Sequence, residues 1–129
     1  MSLNESRLKI ELESLQNICK TIHADFDRKW PLIVLNGFEF PDGWDPSTAA
    51  IRYKLSPSYP QKQPKAYIPS KMRYHGEEPR TTLTKKDGWT MYCIYQLPWD
   101  PDRHTLVTMT RIINQSLQRP HKKNPFEVC

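Results

Sequence analysis

Apolar residues recur every three or four positions near the start of the chain, which is the spacing of one face of an α-helix. The members of this stripe, which predicts an amphipathic helix over residues 5–23, are Leu8, Leu12, Leu15, Cys19 and Ile22. Packing in the core accounts for Cys19, since it lies on the stripe. Cys19 and His23 also have a spacing that can bind metal, but no second pair of ligands follows at zinc spacing, so we expect no metal site.

The middle of the chain carries the patterns of β-strands. An apolar, β-branched run at residues 30–35, extended by two phenylalanines within 38–40, predicts the first strand. Residues 48–55 alternate between apolar and polar side chains, as in an antiparallel strand with one buried face. Prolines exclude regular structure from residues 56–64, and a further short strand is predicted at residues 65–69.

Helical spacing returns near the C-terminus, where one apolar face is formed by Leu106, Met109, Ile113 and Leu117. We predict a helix that begins at Asp102 or Arg103 and ends at Gln118, with Asp102 as its N-cap. Pro120 ends the helical pattern, and a loose polar tail is expected over residues 120–129.

The order of these elements predicts an α+β fold: an N-terminal helix, an antiparallel β-meander of three to four strands, a long loop and a C-terminal helix. Residues 70–92 show little periodicity and supply the long loop, with turns at His75-Gly76 and Asp87-Gly88. The chain of 129 residues can build one hydrophobic core and not two. We therefore predict a single domain over residues 1–129, with its core at about 5–119.

Composition narrows the functional classes. The net charge of +5 comes from cations that are scattered along the sequence. We therefore expect an ordinary solvated surface and no nucleic-acid binding, which would need exposed aromatic rings beside a basic groove. No apolar run reaches the ~20 residues of a membrane span, and the polar first residues are unlike a secretory signal. The 3 cysteines do not suggest a disulfide framework, so we expect a cytoplasmic protein.

The residues with chemical potential lie around Cys93, in an aromatic, turn-rich stretch that precedes the C-terminal helix. A thiol is a nucleophile only as thiolate, and positive neighbours or a helix N-terminus lower its ordinary pKa of ~8.5. Cys93 is equally consistent with a small buried hydrophobic residue. Tyr92 and Tyr95 flank it and either bind an incoming segment or simply pack in the loop.

Three segments, in this order, resemble those of the ubiquitin-conjugating enzyme family. Residues 58–65 (Ser-Tyr-Pro-Gln-Lys-Gln-Pro-Lys) are similar to the Tyr-Pro-x-x-Pro-Pro segment that leads into the family's last strand. Gly88, Cys93 and Ile94 are similar to its Gly-x-Ile-Cys-Leu active-site run. Residues 99–106 (Trp-Asp-Pro-Asp-Arg-His-Thr-Leu) are similar to its Trp-x-Pro-x-x-Thr-Leu. The resemblance covers roughly residues 5–119.

The sequence departs from the eukaryotic members at the family's His-Pro-Asn motif. The matching residues 74–79 read Tyr-His-Gly-Glu-Glu-Pro, with a histidine and no asparagine. The chain also stops soon after the helix that follows the cysteine. This compact pattern is similar to the bacterial conjugating-enzyme-like proteins, some of which are encoded in anti-phage defence operons of the CBASS type beside a nucleotidyltransferase.

The resemblance implies a transferase that needs no cofactor. Cys93 would attack the activated C-terminal glycine of a ubiquitin-like protein or of a cyclic-nucleotide-forming nucleotidyltransferase, hold it as a thioester, and pass it to an amine. Because the sequence has no Gly-rich phosphate-binding loop, activation of the carboxylate would come from a separate activating enzyme or from a partner that is already activated. His75 falls where the family has His-Pro-Asn and is the candidate to assist Cys93.

The remaining candidate residues would bind the partner or shape the loop: Tyr92, Tyr95, Trp99 and His104. His104, near the predicted helix start, also competes with His75 for the catalytic role. Two other functions stay open. One is a catalytically inactive relative that holds a protein partner, which the missing asparagine favours. The other is a small basic nucleic-acid binder.

Overall fold

A computed structural model describes residues 5–27, 29–76, 85–86, 88–92 and 99–118. In chain order its elements are α1 (Glu5–Leu15), β1 (Thr21–Asp25), β2 (Leu32–Glu39), β3 (Trp44–Asp45), β4 (Thr48–Lys54), β5 (Lys65–Pro69), β6 (Arg73–Tyr74), β7 (Lys85–Lys86), β8 (Trp89–Tyr92) and α2 (Leu106–Leu117). The predicted α+β layout is confirmed: along the chain, one helix precedes the strands of an antiparallel sheet and one follows them.

The main sheet has 6 strands in the order β1-β2-β4-β5-β8-β7, and each neighbouring pair is antiparallel. β3 and β6 form a separate two-stranded ribbon. The predicted meander of three to four strands is therefore too small. The strands that the periodicity predicts are β2, β4 and β5. β1, β7 and β8 extend the sheet on both sides.

The predicted helix over residues 5–23 is wrong in its second half. α1 ends at Leu15, and Thr21 begins β1. Cys19 faces the core from the turn between them, where its backbone N–H donates to the Leu15 carbonyl over 2.9 Å. Ile22 faces the core from β1, opposite Leu35 of β2. The apolar residues of the stripe thus all pack in the core as predicted. Cys19 and Ile22, however, belong to a turn and a strand and not to the helix.

The predicted long loop over residues 70–92 is interrupted by β8, which pairs with β5. Next to that pairing, the Ser70 backbone N–H donates to the Gly88 carbonyl over 2.8 Å. β8 has 4 residues, which is too few to show a periodicity in the sequence. The predicted turns are supported by positive φ angles at His75, Gly76 and Gly88.

The C-terminal helix begins later than predicted, at Leu106, and its N-cap is Thr105 rather than Asp102. The Thr105 side chain accepts hydrogen bonds from the backbone N–H groups of Val107 and Thr108, and the Thr108 side chain accepts one from Thr105 in return. Both Asp and Thr are N-cap residues, so the sequence does not distinguish them. The four predicted apolar positions of this helix are all buried.

The core lies between one face of the main sheet and the two helices. The inward-facing residues of β4, Ile51 and Tyr53, are fully buried as the alternation predicts. The Tyr53 hydroxyl lies 2.7 Å from the Thr110 hydroxyl of α2, which fixes that helix over the sheet. In the part of the chain that the structure describes, neither helix has the length and apolar character that crossing a membrane requires.

Candidate functional site

The cysteine-bearing segment leaves the sheet at one defined end. β8 ends at Tyr92, whose backbone lies opposite Ala66 near the start of β5. We call this the Lys65 end of the sheet, and the opposite end, where β5 stops and β8 begins, the Pro69 end. Cys93 and Tyr95 both belong to residues 93–98, which lie outside the described residues.

The chain is described again from Trp99, and this residue is anchored at the Lys65 end. Its indole Nε1–H donates to the Pro60 carbonyl over 2.7 Å, and its ring lies 6.2 Å from that of Tyr59, centroid to centroid. Residues 56–64 connect β4 to β5. The described residues on both sides of the segment 93–98 are therefore both held at the Lys65 end, Tyr92 by Ala66 of β5 and Trp99 by Pro60 of the connection that leads into β5.

A buried carboxylate on α1 holds this end of the structure together. Glu11 is only 4% exposed, and its Oε1 accepts a hydrogen bond from the backbone N–H of Leu106 over 2.7 Å. The same oxygen accepts a hydrogen bond from the hydroxyl of Tyr59. Because the first N–H groups of a helix carry partial positive charge, a carboxylate stabilises the N-terminus of α2.

The surroundings of Glu11 keep Tyr59 protonated. Burial raises the pKa of the Tyr59 phenol above its ordinary value, and the hydrogen bond to Glu11 and the charge of Glu11 raise it further. Tyr59 therefore remains a hydrogen-bond donor. It joins the turn at residues 56–60 to the start of α2 through a single carboxylate.

Arg7 completes this arrangement and fixes the loop between Trp99 and α2. Its Nε donates to Glu11 Oε2 over 2.8 Å, and its terminal nitrogens donate to the backbone carbonyls of Pro101 and His104. One arginine thus satisfies two carbonyls of an irregular segment and neutralises a buried carboxylate. We refer to Arg7, Glu11 and Tyr59 as the α1 clamp.

His104 is held in one orientation within this loop. Its Nδ1 accepts a hydrogen bond from the backbone N–H of Asp100 over 2.9 Å, and its ring lies 5.7 Å from the Trp99 ring. Because a backbone N–H can only donate, Nδ1 is unprotonated, and the neutral ring carries its proton on Nε2. The half-buried His104 therefore has a defined donor for a substrate or partner oxygen.

His75 lies at the other end of the sheet. Its backbone N–H donates to the Gly43 carbonyl over 2.7 Å, and Gly43 belongs to the hairpin between β2 and β4 at the Pro69 end. The neighbouring Trp44 donates from Nε1 to the carbonyl of Leu117, at the C-terminus of α2. α2 has 12 residues, and at 1.5 Å per residue such a helix is about 18 Å long.

The sequence-predicted residues thus separate into two groups. Trp99 and His104 lie together at the Lys65 end, where the backbone of Tyr92 also lies. The exposed side chain of His75 packs against Tyr74, with 4.3 Å between ring centroids, and the structure does not bring it to the others. Among the described residues, no group of three or more His, Cys, Asp or Glu side chains could hold a metal ion.

The α1 clamp is the part of this region that the sequence analysis missed. One signal for it was present: Glu11 lies inside the apolar stripe of α1, between Leu8 and Leu15, and four residues after Arg7. A charged residue on a buried face needs a partner. The identity of the long-range partners, Tyr59 and the backbone of Leu106, could not be read from local spacing.

Comparison with known proteins adds no family. No protein-family model matches the chain, and no curated protein matches it either.

Proposed function

We propose that the protein is a ubiquitin-conjugating-enzyme-like transferase with a compact version of that family's fold. The observation that carries the proposal is the anchoring of Tyr92 and Trp99 at the Lys65 end, on either side of the segment that contains Cys93. The hydrogen bond from Trp99 to the Pro60 carbonyl joins two of the three segments on which the resemblance rests. The order of helix, antiparallel sheet and helix is compatible with the same fold.

In the proposed reaction, the Cys93 thiolate attacks the carbonyl of an activated C-terminal glycine. The activating group leaves, and a thioester bond forms between the glycine carbonyl and Sγ. An amine then attacks the same carbonyl, loses its proton, and releases the Cys93 thiolate as the amide forms. Dividing one acyl transfer into two steps in this way lowers each barrier.

Two lysines at the Lys65 end would favour a thiolate in the segment that follows Tyr92. Lys54 and Lys65 lie directly opposite each other at the ends of β4 and β5, one residue from the pair Ala66–Tyr92. Positive neighbours lower the pKa of a thiol. Arg7 compensates the charge of Glu11, so the buried carboxylate does not cancel this effect.

His104, rather than His75, is our candidate for the histidine that assists the reaction. It lies on the segment that follows residues 93–98, and its neutral ring has Nε2–H available as a donor. Oxyanion donors of this kind are typically worth about 3–4 kcal/mol of barrier. We assign Trp99 to the shaping of the loop, and Tyr92 and Tyr95 to contacts with the incoming C-terminal tail.

The partner in this proposal is a protein that ends in glycine, either ubiquitin-like or a cyclic-nucleotide-forming nucleotidyltransferase of an anti-phage operon. The carboxylate is activated by a separate protein in the bacterial cytoplasm. The second candidate function is a catalytically inactive module of the same fold. The location of His75 at the Pro69 end favours it, because the histidine of the family's motif is then far from the end of β8.

The reactivity of Cys93 as a function of pH distinguishes the two functions. We would measure alkylation of the folded protein, with Cys129 replaced by serine in both the parent and the Cys93→Ser variant. Cys19 is 4% exposed and serves as an internal control that should react only after unfolding. A transferase should show a Cys93 pKa clearly below ~8.5, and a thiol-sensitive adduct with a glycine-ended partner when the activating protein and ATP are supplied. If Cys93 stays unreactive in the folded state, the transferase is refuted and the catalytically inactive binding module is the remaining function.

A further inference from the structure

The face of the main sheet opposite the helices carries aromatic rings and cations side by side. We call it the outer face, and define it by Trp30, Arg52, Lys54, Lys65, Tyr67 and Trp89. The alternation along β4 places Arg52 and Lys54 on this face, because Ile51 and Tyr53 point into the core. In the described part of the chain, both helices pack on the core side, so no helix covers these residues.

Each cation of the outer face lies against an aromatic ring. The Arg52 guanidinium carbon is 4.8 Å from the centroid of the Trp89 ring and 5.4 Å from that of Tyr67. The ammonium groups of Lys54 and Lys65 are 5.6 and 5.8 Å from the centroid of the Trp30 ring. Two units therefore follow one another along β4: one cation, Arg52, between two rings, and one ring, Trp30, beside two cations.

Among the described residues, no carboxylate forms an ion pair with the cations of this face. Lys54 and Lys65 are directly opposite each other on neighbouring strands, an arrangement that destabilises a sheet when nothing compensates it. The Arg52 Nε atom is buried and has no hydrogen-bond partner among the described residues. β4, β5, β7 and β8 contain no Asp or Glu in their sequences. The carboxylates with outward register are Asp25 on β1 and Glu39 at the end of β2.

We infer that the outer face binds single-stranded nucleic acid. A surface on which rings and cations lie side by side fits a chain of bases and phosphates, because bases stack on aromatic side chains and on guanidinium planes while phosphates bind the cations. An acidic peptide would use the cations and leave the rings without a role. This inference goes beyond the proposed transferase and does not depend on the reactivity of Cys93, although it involves the same two lysines, Lys54 and Lys65.

Folding explains why the sequence did not predict this surface. Arg52 and Lys54 lie on β4, Lys65 on β5, Trp30 before β2 and Trp89 on β8. The cations are scattered in the sequence and become neighbours only through the strand pairings. The sequence analysis required exposed rings beside a basic groove, whereas the structure places half-buried rings beside the cations.

The test is fluorescence anisotropy with a labelled single-stranded oligonucleotide. Binding is measured at salt concentrations from about 50 to 200 mM, because affinity for nucleic acid falls steeply over this range. Lys54→Gln combined with Lys65→Gln should weaken binding about tenfold or more. It should also reduce the slope of log affinity against log salt by about 1.4, because each of the two lost phosphate contacts contributes about 0.7. Lys9→Gln combined with Lys62→Gln removes the same charge from exposed positions outside the outer face. This control pair should keep the parent slope.

A second variant distinguishes binding of nucleic acid from binding of an acidic protein segment. Trp30→Leu leaves the charge unchanged and should weaken oligonucleotide binding about 5- to 150-fold, the range of one lost stacking contact. Binding of polyglutamate should not respond to it. The inference is overturned if the parent protein binds no oligonucleotide at low salt, if the two lysine pairs behave alike, or if polyglutamate of equal charge binds as tightly as the oligonucleotide. If Trp30→Leu does not fold, as judged by circular dichroism, the lysine pairs and the polyglutamate comparison still decide.

Discussion

Replacement of Glu11 tests whether the α1 clamp holds the Lys65 end of the molecule. In Glu11→Leu, the Tyr59 hydroxyl and the Leu106 N–H lose their acceptor, and Arg7 loses its carboxylate partner. A hydrogen bond to a charged group contributes about 1.5–3 kcal/mol, and removal of one partner from a buried ion pair costs about 3–5 kcal/mol. These costs overlap, since the same carboxylate accounts for both.

The exposure of Arg7 determines where in this range the result should fall. The Arg7 side chain is 22% exposed and keeps its bonds to the carbonyls of Pro101 and His104, so its charge is not left fully buried. We therefore expect a loss of about 3 kcal/mol in the free energy of unfolding, the lower end of the buried-pair range. With a urea m-value of about 1–3 kcal/mol/M, the midpoint should fall by about 1–3 M.

Urea unfolding followed by far-ultraviolet circular dichroism measures this loss. Glu13→Leu is the matched control, because Glu13 is an exposed residue of the same helix and should change stability by less than about 0.5 kcal/mol. Tyr59→Phe alone should cost about 1.5–3 kcal/mol, and much less when Glu11 is already leucine, because the two residues share one interaction. Equal effects of the two leucine variants, or additive effects of Glu11→Leu and Tyr59→Phe, would refute the clamp.

Two further predictions concern the N-cap of α2 and the buried tyrosines. Thr105→Ala should lower the free energy of unfolding by about 1 kcal/mol, whereas Asp102→Ala should change it by less than about 0.5 kcal/mol. Urea unfolding measures both, and a larger loss for Asp102→Ala than for Thr105→Ala would show that Asp102 is the cap. Burial raises the pKa of both Tyr53 and Tyr59 above the ordinary 10.0, and Glu11 raises that of Tyr59 further. The folded state therefore keeps protons that the unfolded state releases, so stability is complete below pH ~10 and falls as the pH rises above it. Tyr59→Phe should make this decline less steep in unfolding measured from pH 8 to 11, and an unchanged pH dependence would contradict the assignment.

The sequence predicts those parts of the fold that have enough residues to show a period. β4 alternates over 7 residues and α2 has a complete apolar face, and both are found where the pattern indicates. β7 and β8 have 2 and 4 residues. β8 joins the sheet by pairing with β5, and β7 by pairing with β8, and no local pattern encodes these pairings. The boundary of α1 was misjudged because Cys19 and Ile22 continue a helical spacing while belonging to a turn and a strand.

The candidate site divides in the same way. Trp99 and His104 could be proposed from the sequence because they stand in a recognisable run before α2. Their arrangement could not be predicted, because it depends on distant residues: Trp99 donates to the Pro60 carbonyl, and Arg7 donates to the His104 carbonyl across a sequence separation of 97. The choice of Thr105 over Asp102 as N-cap has the same origin, since the carboxylate that binds the N–H of Leu106 comes from α1.

The α1 clamp also fixes the described loop that follows the segment 93–98. The described residues that flank the segment 93–98 are fixed by backbone pairing at Tyr92 and by a side-chain hydrogen bond at Trp99. The loop from Trp99 to Thr105 would otherwise leave carbonyls without partners, and a buried unpaired carbonyl costs about 1–3 kcal/mol. Arg7 satisfies two of them from a helix that already packs on the core. If Cys93 is the nucleophile, this loop must keep one conformation through both steps of acyl transfer. The N-terminal helix, through Arg7 and Glu11, supplies that rigidity at the end of the sheet where the nucleophile is proposed to act.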